Sequence, residues 1–167
     1  MLEILTLPTP SLRKRSTEVD RAVLSDSEIQ TFLDKMIQSM YSDDGIGLAA
    51  PQVARNIRIC VIGKAADPSL QEDLVLVNPV WKPRSKKKNV DVEGCLSVPN
   101  VFGKVKRYSN IMVEAYDRNG QPLSFAANHF FARVIQHEVD HLNGILFIDK
   151  AHDIYDVPPA DESPHLV

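Results

Sequence analysis

The sequence lacks the features that mark secreted, membrane-spanning and fibrous proteins. It holds only two cysteines in 167 residues, too few for the disulfide framework of a small secreted domain. No stretch approaches the roughly 18 uninterrupted apolar residues that a membrane helix needs. The N-terminus has neither the basic start nor the long apolar run of a secretory signal. We therefore expect a cytoplasmic protein that has no membrane as a partner.

The charge balance excludes a general affinity for polyanions. A net charge of -3 lacks the basic excess that attracts proteins to DNA, so DNA is not an expected partner. Residues 82–89 do contain a basic run, for which we predict an exposed, solvated loop; contact with RNA is the alternative. With 44% hydrophobic and 25% charged residues, the composition otherwise matches an ordinary globular protein.

Apolar periodicity predicts two amphipathic helices. The first begins at Ser25, which forms a capping-box pattern with Glu28, and ends near Gly45. The second runs over residues 128–143 and stops at Gly144, a residue type that commonly follows the end of a helix.

Short apolar runs outside the helices predict β-strands. The candidates are residues 57–62, 74–77, 111–116 and 123–126. Asn119 and Gly120 lie between the last two runs and favour a hairpin turn. No linker or repeat interrupts the pattern, so residues 1–150 are predicted to form one domain. The proline-rich residues 151–167 are predicted to form an extended or disordered tail.

The strongest chemical signal is an H-E-x-x-H pattern at residues 137–141 of the second predicted helix. The spacing places His137 and His141 one turn apart on one face, so both imidazoles can reach one metal ion. Glu138 points a carboxylate at the same volume, where it can move the protons of a water molecule. Two packed histidines are the alternative, but Phe130 and Val134 make this face apolar, and unpaired imidazoles there would be costly. The pattern therefore predicts metal-dependent hydrolysis.

A third ligand is needed, and the best candidate is Cys95. Its thiolate is a strong ligand, and the neighbouring Gly94 permits close approach of the backbone. Two histidines and one cysteine leave a fourth position for water, which is typical of catalytic sites. Cys60 lies in an apolar strand-like run and is predicted to pack in the core. The histidines without ligand spacing are predicted to be non-ligands: His129, His152 and His165.

Three segments resemble the signature motifs of peptide deformylases. They are residues 45–52, 93–97 and 136–141, which occur in the family's order and spacing. The resemblance spans roughly residues 2–149. It implies an α+β fold in which antiparallel β-sheets wrap around a central helix that carries the metal ligands. It also implies that residues 1–150 are a catalytic domain that removes the formyl group from the N-terminal formylmethionine of nascent proteins and releases formate.

The resemblance implies a role for each matching residue. The metal ligands would be Cys95, His137 and His141. They would hold one divalent ion, Fe(II) by family resemblance, with Zn, Ni and Co as alternatives. Glu138 would take a proton from the attacking water and pass it to the departing amine. The oxyanion would be stabilised by the side-chain amide of Gln52 and the backbone N–H of Leu96.

The resemblance also implies which residues contact the substrate and which partners the protein meets. The substrate-binding residues would be Ile46, Gly47, Glu93, Gly94, Phe130 and Val134. The glycines would let the substrate backbone lie against the chain as an added strand. The partner would be a formyl-Met peptide or nascent chain, with transient ribosome contact.

Two departures from the family pattern bear on substrate range. The family often shows R-G-x-V-x-R after the Cys motif, and here Phe102 stands at its first position. A charged contact to the substrate backbone is therefore expected to be missing. His129 occupies a position, seven residues before the motif Gln136, where the family commonly has glycine; we expect it close to the substrate pocket.

Two other functions compete with deformylation. A metallopeptidase would share H-E-x-x-H but would normally take its third ligand from His or Glu rather than Cys. A non-catalytic, metal-binding relative of the deformylases would not need Glu138, Gln52 or Gly47. The sequence retains all three, which favours an active enzyme.

Overall fold

A computed structural model of the chain describes residues 1–157. Within them lie two α-helices, α1 (Ser27–Ser42) and α2 (His129–Leu142). The strands are β1 (Gly47–Ala49), β2 (Ile59–Ile62), β3 (Leu74–Pro83), β4 (Lys88–Cys95), β5 (Val98–Tyr108), β6 (Asn110–Tyr116), β7 (Pro122–Asn128) and β8 (His152–Asp156). Every neighbouring strand pair is antiparallel. The predicted α+β class is confirmed.

The strands form two sheets. The five-stranded sheet has the order β1-β2-β3-β6-β7, and the three-stranded sheet has the order β4-β5-β8. The turn predicted at Asn119 and Gly120 connects β6 to β7, and Gly120 has the positive φ of 77° that such turns need. Strands β1 and β4 each lie at an edge of their sheet. Each therefore has one backbone edge that no strand of its own sheet covers.

The two helices cover opposite faces of the five-stranded sheet. Successive side chains of a strand point to opposite faces, and β2 follows this rule. Val61 packs in the cluster that contains the apolar side chains of α1, whereas Cys60 packs in the cluster that contains those of α2. Cys60 is fully buried and is not paired with Cys95, so the prediction that it packs in the core is confirmed.

Helix α2 lies between the two sheets. It packs against β1 and β2 of the larger sheet and against β5 of the smaller one. The helix buries polar side chains as well as apolar ones, namely Arg133, Gln136, Glu138, Asp140 and His141. Because buried polar groups need partners, so many of them in one helix indicate a functional centre. The predicted arrangement of antiparallel sheets around a central helix is confirmed.

The predicted capping box at the start of α1 is wrong. The helix begins at Ser27 with Asp26 as its N-cap residue, and no side chain caps it. Ser25 instead ends a short 3-10 turn, Arg21–Ser25, in which the side chain of Asp20 accepts a hydrogen bond from the backbone of Ala22. This turn satisfies the local backbone, so the helix starts two residues later than predicted.

The basic run at residues 82–89 is only partly a loop. Strand β3 continues to Pro83 and β4 begins at Lys88, so only residues 84–87 lie outside strands. The side chains of residues 82–88 are exposed, as predicted. Successive side chains of a strand point to opposite faces, so a strand can carry charged side chains that project into solvent. The charged residues therefore suggested a loop where β3 ends and β4 begins. The prediction of one continuous loop is wrong.

Residues after Asp149 begin with ordered structure. Residues 152–156 form β8, which pairs with β5. The division into a domain at 1–150 and a tail at 151–167 stays a prediction. The part of this tail beyond residue 157, including His165, lies outside the described residues. Neither helix within residues 1–157 is long and apolar enough to cross a membrane.

Candidate metal centre and active site

Three side chains converge where α2 meets the end of β4. The Nε2 atom of His141 lies 3.2 Å from Nε2 of His137 and 3.2 Å from Sγ of Cys95. The predicted spacing explains the first contact, because residues four apart on a helix face the same side. The second arises because β4 ends at Cys95, beside this face of the helix. All three ligand atoms lie within 4.8 Å of one another.

The donor set fits one metal ion. A thiol and two imidazoles at this separation can each direct a lone pair at one point, and such a set suits a divalent transition metal. Burial lowers the pKa of His137, but hydrogen bonds to Cys95 and Glu93 outweigh burial and raise that pKa to about 10. The cluster therefore attracts positive charge. Burial and the charge of His137 lower the pKa of His141, so the imidazole of His141 is neutral. A bound metal ion would displace the proton of His137, because metal binding needs both imidazoles deprotonated.

Glu93 orients His137. Its Oε2 atom accepts a hydrogen bond from Nδ1 of His137 at 3.0 Å, which leaves Nε2 of that ring free to bind a metal. Burial alone would raise the pKa of Glu93. Hydrogen bonds from Arg107 and His137 reverse this effect and hold the pKa well below its usual range. Glu93 is therefore ionised, and its charge is engaged with the protein itself.

A buried network of charges surrounds Glu93. Arg107 donates to both oxygens of Glu93, at 2.9 and 2.8 Å, and also to Asp140 on α2. Arg133 donates to Glu93 at 2.6 Å, and Lys150 donates to Asp140 at 2.7 Å. The network joins β4, β5 and α2 behind the three ligand side chains. The sequence analysis did not predict this network. Two of its members, Asp140 within the H-E-x-x-H segment and Arg107 at the end of residues 102–107, could have suggested it.

Glu138 lies against the backbone of β1. A Cβ atom placed on Gly47 would lie 2.8 Å from Cδ and 2.9 Å from Cγ of Glu138, so only glycine leaves room for the carboxyl group. Burial raises the pKa of Glu138 to about 7. Its Oε2 atom is buried and has no hydrogen-bond partner among residues 1–157. A water molecule beside the three ligands would supply that partner.

Gly47→Ala is expected to displace the Glu138 carboxyl group and lower turnover by about 10²-fold or more, the lower range for losing a general acid–base group. The metal ligands do not touch Gly47, so metal content should stay near that of the unmodified protein. Gly63→Ala is a matched control, because its Cβ would contact the side chains of Met40 and Tyr41 and the backbone oxygen of Ile46, and none of these is Glu138 or a metal ligand. Equal turnover in the two variants would show that the Gly47 contact does not position Glu138.

The side-chain amide of Gln52 has a fixed orientation. Its Oε1 atom accepts a hydrogen bond from the backbone N–H of Ala49 at 2.8 Å. Its Nε2 atom therefore faces the site, where it lies 3.1 Å from Oγ of Ser97 and 3.7 Å from Sγ of Cys95. The backbone N–H of Ser97 also donates to Sγ, at 3.4 Å. Gln52 thus presents a donor beside the ligands, and Sγ accepts hydrogen bonds from both Gln52 and Ser97.

A cavity of about 640 Å³ opens onto the ligands, a size typical of ligand sites. Its lining contains most of the residues predicted for the site: Ile46, Gly47, Gln52, Glu93, Gly94, Cys95, Leu96, Phe130, Val134, His137 and Glu138. Val134 is buried, whereas Phe130 is 50% exposed at the rim. The structure therefore brings the three predicted motifs to one place, and the functional roles assigned to these residues stay predictions.

His129 does not lie in this cavity. It is exposed and is absent from the cavity lining, although its chain neighbour Phe130 belongs to that lining, so the expectation that it lies close to the pocket stays a prediction. Its φ is 50°, in the left-handed region that glycine favours. The family's preference for glycine at this position is therefore explained by the backbone at the start of α2.

Comparisons with known proteins agree with this geometry. The family model for polypeptide deformylase matches residues 1–156. Peptide deformylase 2 of Vibrio vulnificus is 47% identical over 150 residues, which cover 89% of this chain and 85% of that protein.

Solved structures show the same fold. A peptide deformylase from Synechococcus elongatus, in complex with actinonin, is 41% identical with a TM-score of 0.81, over 91% of this chain and 79% of that one. A class I type b peptide deformylase from Acinetobacter baumannii, bound to Met-Ala-Ser, is 31% identical with a TM-score of 0.84, over 90% of this chain and 98% of that one. Since the family match covers nearly every described residue, the chain belongs to the peptide deformylase family.

Proposed function

We propose that this enzyme removes the formyl group from the N-terminal formylmethionine of nascent proteins and peptides and releases formate. It would thus act as a hydrolase in the N-terminal processing step of protein biosynthesis. One observation carries the proposal: Glu138, whose Oε2 atom has no hydrogen-bond partner among residues 1–157, lines the same cavity as Cys95 and His137, two of the three side chains that could hold a metal ion.

The metal would be held by Cys95, His137 and His141. Fe(II) is the proposed ion, with Zn, Ni and Co as alternatives that a thiolate and two imidazoles also suit. When bound, such an ion activates a water molecule and polarises the carbonyl that is attacked. Glu93 contributes by holding the ring of His137 through Nδ1, a type of support that commonly matters for metal affinity.

The protein's own groups account for proton transfer and charge stabilisation. Glu138 takes the proton of the attacking water, since its pKa of about 7 suits exchange near neutral pH. It then passes the proton to the departing amine. The amide donor of Gln52 and the backbone N–H of Leu96 stabilise the developing oxyanion, because both residues line the cavity beside Cys95.

The substrate would lie between two edge strands. Gly47 on β1 and Gly94 on β4 both line the cavity, and both strands have an uncovered backbone edge. A peptide backbone can add to such an edge as a further strand. Ile46, Phe130 and Val134 supply the apolar lining for the methionine side chain. The Acinetobacter baumannii structure holds the tripeptide Met-Ala-Ser, and we propose that this cavity accepts peptides of similar length.

The proposed location and partners follow from the substrate. Formylmethionine begins new chains, so the enzyme would meet them in the compartment where they are made, which we propose is the cytoplasm. Transient contact with the ribosome is part of the proposal. Neither DNA nor a membrane is a proposed partner.

Cys95→Ser is expected to lower metal content and formate release together, because the strongest of the three ligands is replaced by a hydroxyl group that binds soft metals weakly. Elemental analysis of protein purified without oxygen should show one metal ion per unmodified chain. Chelation should abolish formate release from formyl-Met peptides, and added Fe(II) should restore it. Cys60→Ser, a change outside the site, should keep the metal. Full activity of Cys95→Ser would remove Cys95 from the site.

A further inference from the structure

Phe102 forms a cross-strand row with a residue on either side. It lies directly opposite Gly94 of β4 and opposite Tyr155 of β8. Residues directly opposite in a sheet share one face, so the three residues lie side by side. Gly94 precedes the metal ligand Cys95, so the row begins at the proposed reaction centre.

The ring of Phe102 is held between its two neighbours. A Cβ atom on Gly94 would lie 2.7 Å from Cε1 and 2.9 Å from Cδ1 of Phe102, so the ring rests on the glycine backbone. The ring of Tyr155 stacks on it from β8, with centroids 5.9 Å apart and an angle of 23° between the planes. The aromatic ring at position 102 is therefore fixed by packing on both sides.

Phe102 forms part of the cavity wall. Val92, two residues before Gly94 on the same face of β4, also lines the cavity and is 43% exposed. Phe102 and Val92 together offer an apolar strip that continues away from the metal ligands. Burying apolar surface against this strip would favour substrates that carry a large apolar side chain.

The charged groups in the cavity point to the same selectivity. Among the lining residues that the structure describes, Arg133 is the only lysine or arginine, and its guanidinium is bound to Glu93 and Asn89. Asp43 and Asp44 also line the cavity, and both are exposed. The lysine beside the strip, Lys104, lies opposite Val92 and is paired with Asp153. An acidic substrate side chain would therefore meet like charge, and the cations near it are already paired.

We propose that Phe102 determines substrate specificity, and that Tyr155 positions its ring. The wall selects formyl-Met peptides with an aromatic or large apolar residue within the three positions after methionine, and it disfavours acidic residues there. This inference rests on the proposed deformylation. It gives β8 a part in substrate selection, because the supporting ring of Tyr155 belongs to that strand.

The test is a peptide series measured with the full-length, metal-loaded chain. Each peptide is formyl-Met followed by three residues, alanine except for one Phe or one Glu at the second, third or fourth position. For at least one position, the unmodified protein should have a kcat/KM about tenfold higher for the Phe peptide than for the Glu peptide. This factor is the low end of what one apolar contact provides. The preference should lie in KM, because the contact is away from the reacting carbon.

Variants separate selection from folding. Phe102→Ala should lose the preference, and Phe102→Arg should reverse it towards Glu. Phe102→Leu retains an apolar side chain and should keep part of the preference for Phe over Glu peptides. If Phe102→Ala does not fold, Phe102→Leu takes its place in the test. Tyr155→Ala should weaken the preference, and Tyr155→Phe should retain it, because only the ring is needed. Ile154→Ala, on the same strand, is the matched control and should leave the preference intact.

Two results would overturn the inference. One is formate release at equal kcat/KM from the Phe and Glu peptides by the unmodified protein. The other is an unchanged Phe-to-Glu ratio in both Phe102→Leu and Phe102→Arg. Either result would leave deformylation itself standing. Absence of formate release from every peptide would instead contradict the proposed function, and this inference with it.

Discussion

Replacing Glu138 by glutamine is expected to keep the metal bound and to lower turnover by about 10²–10⁴-fold, the usual contribution of general acid–base catalysis. The amide has nearly the same shape as the carboxyl group, so it fits the space that Gly47 leaves beside β1. It cannot accept and return a proton. Steady-state formate release and elemental analysis on the same sample should therefore separate rate from metal content. A parallel fall of both would indicate that Glu138 is a ligand or a structural group.

The same variant should be more stable than the unmodified protein when both are metal-free at neutral pH. Burial raises the pKa of Glu138 from 4.5 to about 7, so the folded state holds its proton more tightly than the unfolded state does. Stability from this group is then lost as the pH rises from about 4.5 through 7. Glutamine does not titrate and escapes this loss. Thermal unfolding should give the two proteins similar midpoint temperatures below pH 4.5, with the glutamine variant higher as the pH rises towards 7. A difference in midpoint temperature that shrinks as the pH rises would contradict this expectation.

Arg107→Met is expected to lower the free energy of unfolding by about 3–5 kcal/mol, the usual cost of removing one partner from a buried ion pair. Arg107 is 3% exposed, and its removal takes a buried charge partner from both Glu93 and Asp140, which among residues 1–157 keep only Arg133 and Lys150 as cationic side-chain partners beside His137. Methionine fills much of the volume, so the loss reports on charge rather than on a cavity. Because Glu93 also holds His137, metal affinity should fall as well.

Lys104→Met is the matched control for Arg107→Met. Lys104 lies on the same strand and forms an ion pair with Asp153, but both side chains are largely exposed. Solvent screens such a pair, so its loss should be far smaller. Denaturant unfolding of the two variants measures the difference. Similar losses in both would show that the buried network contributes no more than a surface pair.

The sequence predicted the ligand-bearing helix well because the signals for α2 are local. Apolar spacing set its extent, and the four-residue spacing of His137 and His141 placed both rings on one face. The convergence of Cys95 on that face depends on the path of β4, which no local pattern gives. Cys95 was predicted as the third ligand from its thiol chemistry and the neighbouring Gly94, and the family resemblance agreed with this prediction. The role of Gly47 depends on how closely β1 approaches Glu138, a contact between residues 91 positions apart that no local pattern reveals.

The buried charges could not be predicted for a different reason. Arg107 and Glu93 lie on strands whose outer faces carry exposed residues such as Lys106 and Val92. From sequence alone a charged residue on such a strand suggests solvent, and only the pairing of β4 with β5 under α2 places these two in the interior. The start of α1 was misplaced because Ser25 and Glu28 fit a capping box, while the preceding 3-10 turn uses Ser25 instead.

The central claim is that this site cleaves the formyl amide of formyl-methionyl peptides and leaves peptide bonds intact. Mass spectrometry of the products tests it most directly, with the Fe(II)-loaded chain incubated with a formyl-Met peptide and, separately, with the same peptide unblocked. We expect the formylated peptide to lose only its formyl group, with an equal amount of formate released, and the unblocked peptide to remain unchanged. Cleavage within either peptide would indicate a metallopeptidase, and an unchanged formylated peptide would contradict the account.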